Sequence, residues 1–399
     1  MPLGLSAKCL SIAPSATLTL DAKVKALRAA GEKVIGFAAG EPDFDTPLPI
    51  RDAMKEALDK GMTRYTPVAG TLELRDAIIQ KLQKDNGLAY TRDEIIVSNG
   101  AKHSLYTALQ AICDPGDEVV IPTPCWVSYP EMVRMAGGVP VFVDAGEEEG
   151  FVPPISRIAA AITPRTKAFI LTSPNNPNGT VWERDLLEAL AALCVEKDFY
   201  ILSDEIYEKL IYDGKQHLSI ASLSPRVKAR TLLVNGVSKA YAMTGFRIGY
   251  TAGPKDVIAA MTNYQSQATS APNTPAQYAA AMALTMPQDC VEEMRKAFEE
   301  RRDLLVAGLN AIPGIHCAKP EGAFYAMMNI TDLLGKRLGE KVIGDTAAFA
   351  EALLEKQHVA VVPGNAFMAE CCCRLSYATS SQEIAEGLRR IDAFVKELQ

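Results

Sequence analysis

The chain has 399 residues, with 48% hydrophobic and 22% charged side chains, which at roughly 150 residues per domain allows two to three domains. That balance supplies a large core and excludes a disordered chain or a disulfide-stapled miniprotein. Lysine and arginine total 41 against 48 aspartates and glutamates, a net charge of −7 with no block of like charges, so neither nucleic acid nor an anionic membrane surface is the expected partner.

Nine cysteines at 9, 113, 125, 194, 290, 317 and 371–373 include no C-x-x-C pair, which points to reduced thiols in a cytoplasm. Adjacent strand residues cannot all face one ion, so Cys371, Cys372 and Cys373 read as packing residues. Residues 1–20 lack the basic start and continuous apolar stretch of a signal peptide. No apolar run reaches the eighteen or so residues of a membrane span.

In chain order, residues 1–48 are too short to fold alone and close in the turn-rich Gly40-Glu41-Pro42-Asp43. Short β-branched runs then recur at 94–97, 118–121, 139–143, 168–171, 199–202, 231–234 and 247–251, separated by helical periodicity such as 103–113 and 186–196. This α/β alternation predicts a large domain over 49–290, a mainly parallel sheet covered by helices. Past 290 come a charged helix over 290–309 ending at Pro313-Gly314, strand candidates at 323–328, 359–362 and 374–377, and a helix over 382–398. Residues 291–399 therefore predict a smaller α+β domain, against which segment 1–48 is expected to pack.

Open α/β sheets bind ligands at the carboxyl ends of their strands. After 94–97 comes Ser98-Asn99-Gly100-Ala101-Lys102 opening a helix, whose free N–H groups suit a phosphate. After 168–171 comes the turn-rich Thr172 to Gly179, presenting the amides of Asn175, Asn176 and Asn178. Asp204 and Tyr207 follow 199–202, and Ser238, Lys239 and Arg247 follow 231–234. An amine, an anion site, an acid and hydrogen-bond donors at one sheet edge match pyridoxal phosphate, which needs an imine-forming amine and an acidic partner for its ring nitrogen. No G-x-G-x-x-G follows a strand, and no phosphate loop ending in G-K-[ST] exists, so hydride and phosphoryl transfer fit worse.

The run Gly236-Val237-Ser238-Lys239-Ala240-Tyr241-Ala242-Met243-Thr244-Gly245-Phe246-Arg247-Ile248-Gly249 resembles the lysine-attachment signature of class I pyridoxal-phosphate aminotransferases. The resemblance continues in Pro14-Ser15-Ala16-Thr17, Gly40 to Pro47, Tyr65, Pro124 to Pro130, Asn176-Pro177-Asn178-Gly179 and Arg374-Leu375-Ser376-Tyr377-Ala378-Thr379. It thus covers almost the whole chain, and it is strongest to the bacterial-type aspartate aminotransferases.

The resemblance implies fold type I, with a large cofactor domain, a small domain from both chain ends, and a homodimer that shares its active sites. It implies that Lys239 bonds to the cofactor's aldehyde and later shuttles the substrate's α-proton. Arg247, Gly100, Ala101, Lys102 and Ser238 would hold the phosphate, joined by Tyr65 from the neighbouring subunit. Asp204 would pair with the ring nitrogen, although by spacing alone it also reads as a helix N-cap. Tyr207 and Asn176 would donate to the ring oxygen, and Trp126 would stack on the ring. Arg374 would clamp the substrate's α-carboxylate beside Gly40, whose lack of a side chain would allow close approach. Lys102 would face the distal carboxylate in place of a solvated role.

Two departures stand out. Gly236 replaces a phosphate-binding serine of many relatives, and Ala13 replaces a lysine found in relatives that act on prephenate. The expected activity is transfer of the amino group of L-aspartate to 2-oxoglutarate, a ping-pong between the pyridoxal and pyridoxamine forms of the cofactor. Other aminotransferase specificities (prephenate, aromatic or alanine type) and a carbon–sulfur β-lyase share this fold and lysine. A transcription regulator with such a domain would need a DNA-binding segment ahead of residue 14.

Overall fold

A computed structural model describes residues 4–399, without the side chains of Ala7 and Lys8; the first three residues of segment 1–48 lie outside the described residues. All seven runs of the central region are strands: β1 Ile95–Ser98, β2 Glu118–Thr123, β3 Val139–Asp144, β4 Thr166–Thr172, β5 Tyr200–Asp204, β6 Thr231–Gly236 and β7 Gly249–Ala252. They form one sheet in the order β1-β7-β6-β5-β4-β2-β3. Every neighbouring pair is parallel except the two made by β7, which runs against both β1 and β6. Both faces are covered, as a mainly parallel sheet requires. Val119, Ile121, Ile170 and Leu202 pack on one side with the helix Ala101–Ile112, and Val120, Phe169, Leu171 and Ile201 on the other with the helix Arg184–Lys197.

Past residue 290 the predicted long helix is Asp289–Asn310 and the last helix is Ser381–Lys396. Three strands, β8 Tyr325–Asn329, β9 Val362–Pro363 and β10 Cys372–Ser376, form an antiparallel sheet in the order β9-β10-β8. The run read as one strand at 359–362 is two. Val359–Ala360 pairs in parallel with Ile35–Gly36, whereas Val362–Pro363 pairs with β10. A uniformly apolar run gives no sign of a change of partner, so the split is invisible to periodicity. The N-terminal segment joins here, and the Ser376 N–H donates to the Phe37 carbonyl at 2.8 Å.

The nine cysteines are all free thiols. Cys373 lies in the core between the sheet and its helices, and Cys372 packs with Phe151 and Met327. Cys371 is exposed. Among the described residues no helix is long and apolar enough to cross a membrane.

Candidate active site

The carboxyl ends of the parallel strands open into a cavity of about 440 Å³ roofed by β8, β10 and the helix Ala16–Ala29. Lys239 follows β6, and its Nζ donates to the Gly40 carbonyl at 2.5 Å. Burial first, then Arg247 and Arg374, draws its ammonium pKa down to about 8 against the pull of Glu41 and Asp204. Near that pH half the lysine is a free amine, the form that attacks a carbonyl.

Asp204 ends β5 and is 3% exposed. Burial pushes its carboxyl up to about 6, opposed by hydrogen bonds from Tyr129 and the Ile206 N–H. Its Oδ2 accepts from the Tyr129 hydroxyl at 2.7 Å, and that hydroxyl also lies 2.7 Å from Thr172 Oγ1. The Ile206 N–H points at Oδ1 over 3.3 Å. The carboxylate thus faces the cavity while accepting from the turn that follows, and no helix starts there for it to N-cap.

Neither arginine that lines the cavity, Arg247 or Arg374, has a carboxylate partner within salt-bridge distance among the described residues. Arg374, on β10 and 2% exposed, donates from Nη1 to Asn176 Oδ1 at 2.9 Å and from Nη2 to the Ala38 carbonyl at 3.1 Å, while its Nε has no partner. Its guanidinium stacks on Tyr325 and Phe367, with ring centroids 4.4 and 4.7 Å away. A buried cation without a counter-ion is costly and calls for an anion. Arg247 donates from Nη1 to the Thr244 carbonyl at 2.7 Å and stands over the start of the helix Ala101–Ile112. It holds φ at +55°, a left-handed conformation rare for arginine and characteristic of functional sites.

Glycines make that approach possible. A Cβ on Gly100 would strike the Arg247 guanidinium, and one on Gly249 would come within 2.8 Å of Ala101 Cα. At Gly236 a Cβ would lie 2.8 Å from the Ile248 carbonyl, so this backbone leaves no room for the serine of other sequences. Gly40 differs, because a Cβ there would make only an ordinary 3.5 Å contact with the Tyr325 hydroxyl.

The other expected residues mostly meet here. Ala101, Lys102, Trp126, Asn176, Tyr207 and Ser238 line the same cavity. Lys102 Nζ stands 4.7 Å from the Trp126 ring centroid, its pKa lowered by partial burial and then by Arg247. The Tyr207 and Tyr325 hydroxyls are 3.1 Å apart. Gly100 lies beside the cavity under Arg247. Tyr65 does not line it and is 94% exposed. Sequence reasoning missed Tyr129 and Tyr325. The signal for Tyr129 was its place in the run Pro124 to Pro130 that carries the resemblance.

The site can therefore offer an amine, two anion-binding guanidiniums and a buried acid to one small ligand. Comparison with known proteins agrees. Residues 32–391 match the family model described as aminotransferase class I and II. The chain is 50% identical over 386 residues, 97% of each chain, to an aspartate aminotransferase of Bacillus sp. (strain YM-2). It is 49% identical over 390 residues, again 97% of each, to an aspartate/prephenate aminotransferase of Thermus thermophilus. The crystal structure of the Rhizobium meliloti aspartate aminotransferase superposes over 100% of both chains with a TM-score of 0.96 at 45% identity. The chain, with its lysine, acid and two arginines around one cavity, belongs to the class I and II aminotransferases.

Proposed function

We infer that this protein is an aspartate aminotransferase, moving the amino group of L-aspartate to 2-oxoglutarate with pyridoxal 5′-phosphate as cofactor. The observation that carries the reading is the Lys239 amine, brought toward neutrality, in one cavity with a buried guanidinium that has no carboxylate of its own. The residues fit the cofactor: Arg247 over a helix N-terminus suits the phosphate, and Asp204 suits a protonated ring nitrogen. When bound, pyridoxal phosphate supplies an aldehyde that exchanges amines and a ring that withdraws electrons.

Lys239 would hold the aldehyde and, as a free amine, would move the proton at the substrate's α-carbon. Asp204, held by Tyr129, would keep the ring nitrogen protonated. Arg374 binds the α-carboxylate in the bidentate way its planar fork allows, and Asn176 fixes the fork. With Oδ1 occupied by Arg374, the Asn176 amide nitrogen is left to donate beside Tyr207 to the ring oxygen. Trp126 would stack on the ring, and Gly100, Ala101, Lys102 and Ser238 would complete the phosphate and substrate contacts. Lys102 is the cation left for a distal carboxylate; the Thermus thermophilus structure solved with maleate, itself a dicarboxylate, supports that preference.

Residues 49–290 make the cofactor domain, and 1–48 with 291–399 make the smaller one, as the pairing of Ile35–Gly36 with Val359–Ala360 supports. The enzyme works as a cytoplasmic homodimer in which Tyr65 of each chain reaches the other's phosphate. Mixing purified holoenzyme with single amino acids tests the substrate. Aspartate and glutamate should convert the cofactor's visible absorbance rapidly, and alanine and phenylalanine slowly; the reverse order overturns the assignment. With Ala13 in place of a lysine, prephenate should be a poor acceptor in the same assay.

A further inference from the structure

A cluster of buried charges lies on the far side of β5 from the cavity. Side chains alternate along a strand, so Asp204 enters the cavity while Ser203 points the other way. There Glu205, 1% exposed, accepts from the Ser203 and Ser219 hydroxyls at 2.8 and 2.7 Å and meets His217 Nε2 at 2.8 Å. One turn on, Glu208 forms an ion pair with Lys81 and accepts from Asn235 Nδ2 at 2.9 Å and Asn86 Nδ2 at 3.0 Å. Asn235 lies on β6 just before Lys239, and its Oδ1 accepts from the Gly236 N–H at 2.7 Å. One cluster thus braces the strand end that carries Asp204 and the strand end that leads to Lys239.

A proton on His217 balances its buried charges. The helix Leu72–Asn86 contributes Lys81 and Asp85, the segment after β5 contributes Glu208, Lys209 and Lys215, and the helix Asp289–Asn310 contributes Arg295 and Glu299. Lys209 pairs with the more exposed Asp85, which also lies 3.8 Å from Lys81, Lys215 pairs with Glu183 and Glu321, and Arg295 with Glu292 and Glu299. The phenols Tyr90, Tyr241 and Tyr250 stay protonated, raised by burial first and by these carboxylates next. Two buried carboxylates, Glu205 and Glu208, then face one buried ammonium, Lys81. An uncompensated buried charge is costly, so the remaining proton belongs on His217. Burial opposes a charged ring there, but Glu205 and Glu208 outweigh it and raise the imidazole's pKa.

We propose that Glu205 and His217 are positioning residues for the reaction centre: His217 holds a proton against Glu205 and, with Lys81 on Glu208, keeps the space behind Asp204 and Lys239 electrically neutral. This rests on the aminotransferase reading only where it concerns the cofactor. Nitrogen-15 NMR of histidine-labelled full-length holoenzyme, with four histidines in the chain, should show both ring nitrogens of His217 protonated at pH 7.5. A neutral His217 ring at that pH overturns the proposal and leaves the aminotransferase reading untouched. In a second measurement, His217→Gln strands the Glu205 charge and should raise the pH midpoint of the holoenzyme's visible absorbance by roughly half to one unit. Adding Glu205→Gln removes that charge and should bring the midpoint back toward the wild-type value. A packing role alone predicts no shift in the single variant, or no recovery in the double, and either result overturns the proposal. Absence of any cofactor absorbance in the wild-type protein would instead sink the cofactor reading.

Discussion

Lys239 and Arg374 stand in the cavity at the expense of their own solvation, and each residue carries a distinct expectation. Because burial holds the Lys239 ammonium near 8, capture of added pyridoxal phosphate by the cofactor-free enzyme should accelerate as pH rises through about 8 and then level off, followed by absorbance in stopped flow. Lys239→Ala should abolish turnover. Arg374 is a buried cation lacking a carboxylate, so Arg374→Leu should lower kcat/KM by roughly two to three powers of ten. The same change should leave the cofactor-free protein's urea midpoint equal or higher, since it removes an uncompensated charge. Tyr129→Phe removes a 2.7 Å hydrogen bond to Asp204; with such bonds to charged groups worth about 1.5–3 kcal/mol, equilibrium dialysis should show cofactor affinity falling about tenfold or more. Lys239, Arg247 and Asp204 were legible because charged residues after apolar runs stand out, whereas Arg374 was reached only through the family resemblance. Tyr129 and Tyr325 were not legible, because a phenol on a helix or strand reads as ordinary core.

Strand ends and helix starts are held together here by glycines and by the buried charges behind β5. Gly249 on β7 lies against the first residues of the helix Ala101–Ile112, so Gly249→Ala should destabilise by about 1–3 kcal/mol, measured by urea unfolding. The charge cluster sets a pH window. Glu208 is depressed to about 2, Lys81 and His217 outweighing its burial; its contribution is present above the unfolded value near 4.5 and is lost as pH falls toward 2. His217 is raised above 6.5, so its contribution is fully present below 6.5 and is lost as pH rises through its folded pKa. Urea midpoints should therefore fall on both sides of a mildly acidic plateau, and His217→Gln should flatten the alkaline limb. Periodicity located each strand of the large sheet to within a few residues, because a strand buried on both faces is apolar throughout. It missed the reversal of β7 and the split at 359–362, since apolar runs carry no record of which neighbour they pair with.

The whole molecule presents an apolar surface that a lone chain does not use. Leu48 and Leu58 on the helix Leu48–Asp59 are 55% and 50% exposed, and Tyr65, a few residues on in the chain, is 94% exposed. Covering them in a homodimer would bring Tyr65 to a second active site. Subunit exchange between inactive Lys239→Ala and impaired Tyr65→Ala preparations should then restore activity in mixed dimers, assayed after mild denaturation and refolding; no recovery would rule out sharing. The sequence by itself determined the α/β class, the family and the lysine proposed to hold the cofactor, because the hydrophobic period and the attachment signature are local properties of the chain. Only the tertiary structure decided that Asp204 leans on Tyr129, that Arg374 meets Asn176 from a distant strand, and that Glu205 and Glu208 share a buried cluster with Lys81 and His217. Those pairings depend on burial and on the meeting of remote segments, and both arise only when the strands and helices pack.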